Sequence, residues 1–357
     1  MPPAALHEFS RRSLLLAALA AAPASWALPA RTLRFPRDYG SHPDLQTEWW
    51  YITGHAKTPA GREFGFQVTF FRSRVDAAQG LRSAFAARNL VFAHAAVTDL
   101  EGRVLLHDQR IARAGFGVAS ASEADTDVRL RDWSLVRRED GSYSARIPAG
   151  EFSLDLRFTP TQPVLLQGKA GLSRKGPEEA QASYYYSEPQ LRTQGRLALK
   201  GHAFDVGGTA WLDHEWSEAL MHPEAVGWDW IGMNLDDGSA LTAFRLRRRD
   251  GSALWAGGSF RTRDGALRVF NSDEVRFESA NTWTSPRTQA KYPTRWRVQT
   301  PSGSFEVRSL LDDQELDSRG STGGVYWEGL SDLVDAQGRR VGRGYLEMTG
   351  YAAPLRL

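Results

Sequence analysis

After its N-terminal segment the chain shows almost no helical periodicity. Apolar positions recur instead in short runs rich in Val, Phe, Trp, Tyr and Thr, punctuated by Gly, Asp and Pro. This pattern predicts an antiparallel all-β fold. Strands are expected at 48–57, 63–72, 91–100, 104–112, 128–138, 151–159 and 196–204, with turns at Pro59-Ala60-Gly61 and Asp140-Gly141. Strands at this spacing build a barrel or a sandwich. The segment 168–181, with Gly, Lys, Pro and Glu, reads as the clearest loop, either a lid or a disordered stretch.

The pattern also repeats. Residues 206–213 (Val-Gly-Gly-Thr-Ala-Trp-Leu-Asp) resemble 341–347 (Val-Gly-Arg-Gly-Tyr-Leu-Glu), with one residue of slippage. An aromatic cluster precedes each, Tyr184-Tyr185-Tyr186 in one and Tyr326-Trp327 in the other. Further upstream, Trp49-Trp50-Tyr51-Ile52-Thr53-Gly54 corresponds loosely to Trp228-Asp229-Trp230-Ile231-Gly232. Two β domains of one type, dividing near 217–226, would explain this; chance likeness between aromatic strands is the alternative.

Ser10-Arg11-Arg12-Ser13-Leu14-Leu15 is a twin-arginine signature, followed by an Ala/Leu run to about Ala22 and by Ser25-Trp26-Ala27. It reads as a signal peptide over 1–27, cleaved after Ala27, and predicts a periplasmic or secreted protein. A cytosolic chain with a frayed apolar end is the other reading. The apolar run is too short to span a bilayer comfortably. The absence of Cys removes thiolate nucleophiles and Cys-based metal sites. Lys and Arg total 44 against 42 Asp and Glu, so no charge excess points to nucleic acid. The basic cluster Arg245, Arg247, Arg248 and Arg249 reads as the solvated end of a strand. Twelve Trp and ten Tyr lean toward an aromatic-walled ligand cavity.

No G-x-S-x-G, H-E-x-x-H, G-x-G-x-x-G or Walker A motif is present, so catalysis would rest on carboxylates, histidines and aromatics. The densest polar group is Asp213-His214-Glu215-Trp216, after an apolar strand. It offers general acid or base groups and an indole face for a ligand or a developing cation. Strand capping and domain tying are the structural alternative. A helix from His214 would align Glu218 and His222 as metal ligands, but nothing else there is helical, so no metal and no cofactor is expected. Alternation puts Glu48, Trp50 and Ile52 on one face of their strand, with Trp49 and Tyr51 on the other; His42 lies upstream and His55 at the strand's end. A desolvated Glu48 beside Trp50 would have a raised pKa and act as a proton donor. His94, in an otherwise apolar strand, reads more readily as a hydrogen-bonded core residue than as a catalyst. Asp229 falls on the opposite face from Trp228 and Trp230.

Glu48-Trp49-Trp50-Tyr51-Ile52-Thr53-Gly54-His55, Phe92-Ala93-His94-Ala95, Trp211-Leu212-Asp213-His214-Glu215-Trp216 and Gly227-Trp228-Asp229-Trp230 resemble the AttH/carotenoid 1,2-hydratase family. The likeness runs from about Tyr39 to Tyr351. It implies two consecutive lipocalin-like, calycin-type antiparallel barrels, 28–217 and 218–357, and an isoprenoid- or lipid-like hydrophobic ligand. By the resemblance, His214 and Trp216 match the hydratase's Asp-His-x-Trp stretch, and Asp213 and Asp229 are candidate proton donors. Asp213, His214, Asp229 and Glu48 are thus the catalytic candidates, and Trp50, Trp216, Trp228, Trp230, Tyr185 and His94 the ligand contacts. Two functions follow: a cofactor-independent hydratase or hydrolase, or a periplasmic lipid carrier serving an inner-membrane ABC-type transporter.

Overall fold

The computed structural model describes residues 27–355. The twin-arginine motif and the apolar run after it lie outside the described residues. The regular secondary structure of the described residues is almost wholly antiparallel β-sheet, and none of their helices is long and apolar enough to cross a membrane.

The first sheet opens with β1 (Thr47–Lys57), β2 (Glu63–Arg74), β3 (Asn89–Asp99) and β4 (Val104–Arg113). Shorter strands follow: β5 (Ala119–Ala121), β6 (Asp127–Leu130), β7 (Trp133–Arg137), β8 (Tyr143–Pro148), β9 (Phe152–Thr159), β10 (Leu165–Leu166) and β11 (Leu172–Arg174). Two long strands, β12 (Ala182–Leu199) and β13 (His202–Ala219), return the chain to its start, where β13 pairs with β1. The sheet order is β4-β3-β2-β1-β13-β12-β9-β8-β7-β6-β5. Its ends curl together through contacts of β3 and β4 with β5 and β6, giving a nearly closed barrel.

The chain passes to the second sheet between Ala219 and Gly227. Its strands are β14 (Gly227–Leu235), β15 (Ala240–Arg247), β16 (Ala253–Arg261), β17 (Leu267–Phe270), β18 (Arg276–Thr284) and β19 (Lys291–Thr300). They continue with β20 (Gly303–Ser309), β21 (Glu315–Asp317), β22 (Val325–Val334) and β23 (Arg340–Met348). Here too the last strand pairs with the first, β23 with β14, and the order β16-β15-β14-β23-β22 mirrors β3-β2-β1-β13-β12.

The sequence repeat has a physical origin in these closing strands. A side chain on Gly208 would collide with the His55 carbonyl, and one on Gly342 with that of Asn234. These equivalent glycines let β13 and β23 lie close against β1 and β14.

Two expected strands are hairpins. Within 128–138 the chain turns at Arg131, which has a φ of +56°, to separate β6 from β7. Within 196–204 the pair Lys200-Gly201, at φ +46° and +85°, joins β12 to β13 in a two-residue turn of the kind that matches strand twist. The segment 168–181 is ordered, carries β11 and buries Lys175.

Three apolar clusters hold the fold. One fills the first barrel with Trp50, Phe64, Phe66, Trp133, Tyr143, Tyr186 and Trp216, all without meaningful exposure. A second, around Trp296, Tyr292 and Trp327, lies inside the second sheet. The third joins the two outer faces, with Tyr51 and Trp211 from the first sheet meeting Trp230, Phe244, Leu330 and Tyr345 from the second. Burial of these large side chains, at about 25 cal/mol per Å² of apolar surface, supplies the cohesion that disulfides would otherwise give.

Candidate functional site

Strand register sorts the candidate residues onto two faces. In the β1–β13 pair, Glu48 lies opposite Trp216 and Trp50 opposite His214, while Trp49 lies opposite Glu215 and Tyr51 opposite Asp213. Opposed residues share a face. Glu48, Trp50, His214 and Trp216 therefore turn into the first barrel, and Asp213 turns out of it with Glu215. Asp213 and His214, adjacent in sequence, do not share a site.

The inward group forms a closed polar network. Glu48 Oε1 lies 2.8 Å from His42 Nδ1 and 3.0 Å from His214 Nε2, and its Oε2 accepts from Ser41 Oγ at 2.7 Å and Arg72 Nε at 2.9 Å. His42 reaches on to Asp38 at 3.0 Å, and His214 to the Tyr186 hydroxyl at 3.1 Å. Indoles cover both rings, Trp216 stacked on His42 at 3.9 Å and Trp50 on His214 at 4.6 Å. Burial alone would raise the Glu48 pKa, as expected from sequence. The hydrogen bonds from His214 and His42 outweigh it and hold the carboxyl well below its usual range. Glu48 is therefore a fixed carboxylate rather than a proton donor. Burial pushes His214 down to about 4, so its ring is neutral. One donor atom each from His42, Glu48 and His214 lie within 4.8 Å of one another, near enough to share a cation. The Arg72 guanidinium already supplies positive charge to Glu48 there. His214 lies on a strand, so the helical alignment with Glu218 and His222 does not form.

Asp229 turns into the second sheet, away from Trp228 and Trp230. Arg245 and Arg247 hold it at 2.7 and 3.1 Å, and the Tyr351 hydroxyl donates at 2.8 Å. Two of the four arginines read as a solvated strand end are thus committed to a buried ion cluster, while Arg248 pairs with Glu224 at the surface.

The outward face of the first barrel meets its counterpart on the second across a cleft of about 590 Å³. That volume suits a single small-molecule ligand. Trp49 and Tyr51 from β1 face Trp228 and Trp230 from β14, the pairs matched by the sequence repeat. Phe71, Phe92, Phe244 and Leu246 extend the apolar wall. Asp213 and Glu347, the acids that end the repeated segment, line the same cleft. Asp213 accepts from Tyr185 at 2.8 Å, Ser187 at 2.5 Å and the Trp211 indole at 2.7 Å. Glu215 pairs with the buried Lys175 at 2.9 Å, whose ammonium also lies over the Tyr185 and Phe244 rings.

A second acid pair sits on the opposite wall. Glu328 and Glu347 are direct cross-strand neighbours on β22 and β23. Like charges so placed repel, which favours the proton. Burial, and then the field of Glu347, hold Glu328 well above its usual range. Burial, with the fields of Asp213 and Glu215, pushes Glu347 up to about 7. Gln67 donates to Glu328 Oε2 at 2.5 Å and to the Tyr326 hydroxyl at 3.1 Å. The Tyr51 hydroxyl, Gln67 Oε1 and Glu328 Oε1 are buried at this wall with no hydrogen-bond partner. Orphaned polar groups gathered in one cavity mark where a ligand or water hydrogen-bonds. His94 also lines the cleft. It reaches Tyr326 at 2.9 Å and Ser321 at 2.8 Å, anchoring the 318–324 loop over the first barrel, and burial pushes it down to about 3.

Burial raises Asp213 from 3.8 to about 7 against its hydrogen bonds. The folded protein thus keeps a proton that the unfolded chain releases. The resulting stabilisation is complete below about pH 4 and is lost as pH rises toward about 7. Asparagine escapes that loss. The melting temperature of Asp213→Asn relative to the unsubstituted protein is expected to rise between about pH 5 and about pH 8. A difference independent of pH contradicts a protonated Asp213.

The AttH-like family model matches residues 26–351. The chain belongs to this family. An AttH protein from Nitrosomonas europaea shares 49% identity and superposes with a TM-score of 0.85, covering 91% of this chain and 99% of its own. Kievitone hydratase from Nectria haematococca has the same fold at 14% identity, with a TM-score of 0.71 over 90% of this chain and 94% of its own. CghA bound to Sch210972 is more distant, at 13% identity and a TM-score of 0.56 over 92% of this chain and 96% of its own. No curated protein matches in sequence. These likenesses establish the family and its lipocalin-like architecture.

Within that fold, Asp213, Tyr185, His94, Trp228 and Trp230 fall on the cleft, whereas His214, Trp50 and Trp216 pack the first barrel's interior and Asp229 lies inside the second sheet; Glu48 borders the cleft but commits its carboxylate to the network inside the barrel. Sequence reasoning missed Glu328, Gln67 and Lys175. Glu347 ended the noted repeat opposite Asp213, and Glu328 follows the noted Tyr326-Trp327 pair by one residue, so both had a signal that was not followed.

Proposed function

We propose that the cleft between the barrels binds an isoprenoid- or lipid-like molecule and adds water to a C=C bond by acid catalysis, without a cofactor. The observation that carries this reading is the convergence of Asp213, Glu328 and Glu347, three carboxyls whose burial favours the proton, on a cleft walled by Trp49, Trp228 and Trp230. A hydratase among the proteins of like fold supports it.

In this reaction Glu328 gives its proton to one alkene carbon, and the π pair forms the new C–H bond. An indole face stabilises the cation left on the other carbon. Water attacks that carbon and yields its surplus proton to the carboxylate form of Glu347, which a pKa pushed up to about 7 leaves partly populated at neutral pH, and Glu347 returns the proton to the Glu328 carboxylate across the strand pair. Alkene and water become an alcohol. Two features favour a carrier instead: the protein already hydrogen-bonds both Asp213 oxygens, and Lys175 pairs with Glu215. The twin-arginine segment supports work outside the cytoplasm, with an inner-membrane ABC-type transporter as the partner of a carrier. Incubation with an acyclic isoprenoid, followed by mass spectrometry, is expected to give a product heavier by one water. Recovery of the isoprenoid bound but unchanged would instead establish carriage.

A further inference from the structure

Two neighbouring loop tips of the first barrel expose large apolar side chains that the fold does not need. Between β2 and β3, Phe85 is 73% and Leu81 51% exposed; beyond β4, Phe116 is 59% exposed and Val118 stands beside it. Scattered exposed apolar residues are ordinary, but these form a cluster. The Phe85 and Phe116 rings stack with centroids 5.4 Å apart. Arg113 braces them, its guanidinium 4.1 Å from the Phe116 centroid and its Nη1 donating to the Phe85 carbonyl at 2.8 Å. Phe116 is held at φ +58°, a conformation costly for an aromatic residue, in order to face solvent.

The charge in these two segments is predominantly positive. Arg82, Arg88 and Arg113 lie in these two segments against a single acid, Asp76, which Arg74 already pairs at 2.8 Å. The patch also continues into the cleft. Ile111 lines the cleft, and Arg113 follows two residues later on the same face of β4, opposite Leu90, which lines the cleft as well.

Aromatic and aliphatic side chains on projecting loops, ringed by arginines, match the interfacial zone of an anionic bilayer: rings enter the headgroup–acyl boundary while guanidiniums meet phosphates. We propose that the tips at 81–85 and 116–118 dock on an anionic lipid surface and set the rim of the inter-barrel cleft against it. This concerns where the protein docks and holds whether the cleft catalyses or only carries.

Flotation with vesicles of phosphatidylcholine plus phosphatidylglycerol, and of phosphatidylcholine alone, tests it with the full chain. The protein is expected to float with the anionic vesicles, less so in high salt. Phe85→Ser/Phe116→Ser is expected to weaken binding about tenfold or more with an unchanged melting temperature, since both rings are exposed. Arg82→Glu, which removes no internal contact, is expected to weaken binding severalfold to anionic vesicles only. Failure of the unsubstituted protein to float, or binding untouched by these substitutions, overturns the proposal. So does a dimer in light scattering that the paired Phe substitutions dissociate, which would assign the patch to a second copy. Failure of hydration in the isoprenoid assay leaves the flotation result unchanged.

Discussion

Replacing Glu48 with alanine is expected to destabilise the folded protein by about 3–5 kcal/mol, the cost of breaking a buried ion pair from one side. The Glu48 carboxylate is fully buried and is the common partner of Arg72, His42, His214 and Ser41. Its removal strands the Arg72 guanidinium, whose side chain is 2% exposed, without its counter-charge. The hydrogen bonds that remain to Arg72, to the His42 and Leu45 carbonyls and to Asn89 Oδ1, cannot neutralise it. Because the folded-state pKa of Glu48 is depressed, its contribution is present above the unfolded value of about 4.3 and is lost as pH falls through the folded value. Urea unfolding at neutral pH measures the effect. A loss below about 1 kcal/mol, the range of an exposed pair, would show that the network does not anchor the barrel.

The second large effect is expected on the proposed hydration. Glu328→Gln is expected to lower isoprenoid hydration about a hundredfold to ten-thousandfold, because an amide cannot supply the proton. Glu347→Gln is expected to act similarly by blocking proton return. Neither should cost much stability, since the amide imitates a carboxyl whose proton burial and a like-charged neighbour already favour. Binding of the isoprenoid should persist in both variants. Full turnover in folded Glu328→Gln would remove Glu328 from the mechanism, whereas loss of binding would make it a recognition group.

The strands and the repeat were legible because β-alternation and closing-strand glycines leave local traces. Trp49 and Tyr51 were separated from Glu48 and Trp50 by period-two reasoning alone, and the register agrees. Which face lines the cleft was not legible. A lipocalin-like barrel suggests a ligand inside, but here Trp50, Tyr186, Trp216 and Trp133 occupy the interior. The cleft exists only because two outer faces meet, and no local pattern encodes a contact between residues such as Gln67 and Glu328, 261 positions apart. The Glu48 pKa was misjudged for a related reason. Burial is readable from neighbouring tryptophans, but the opposing His214 and Arg72 arrive from other strands. Lys200-Gly201 was readable as a turn, and the 196–204 run concealed it because its apolar positions continue on both sides.

The proposed site lies between the two sheets rather than within the first barrel. A diazirine-bearing isoprenoid, photolysed in the protein and mapped by peptide mass spectrometry, tests this most directly. Labels are expected on cleft residues such as Trp228, Trp230 and Phe244. Labels on Trp50, Tyr186 or Trp216, inside the first barrel, would contradict it.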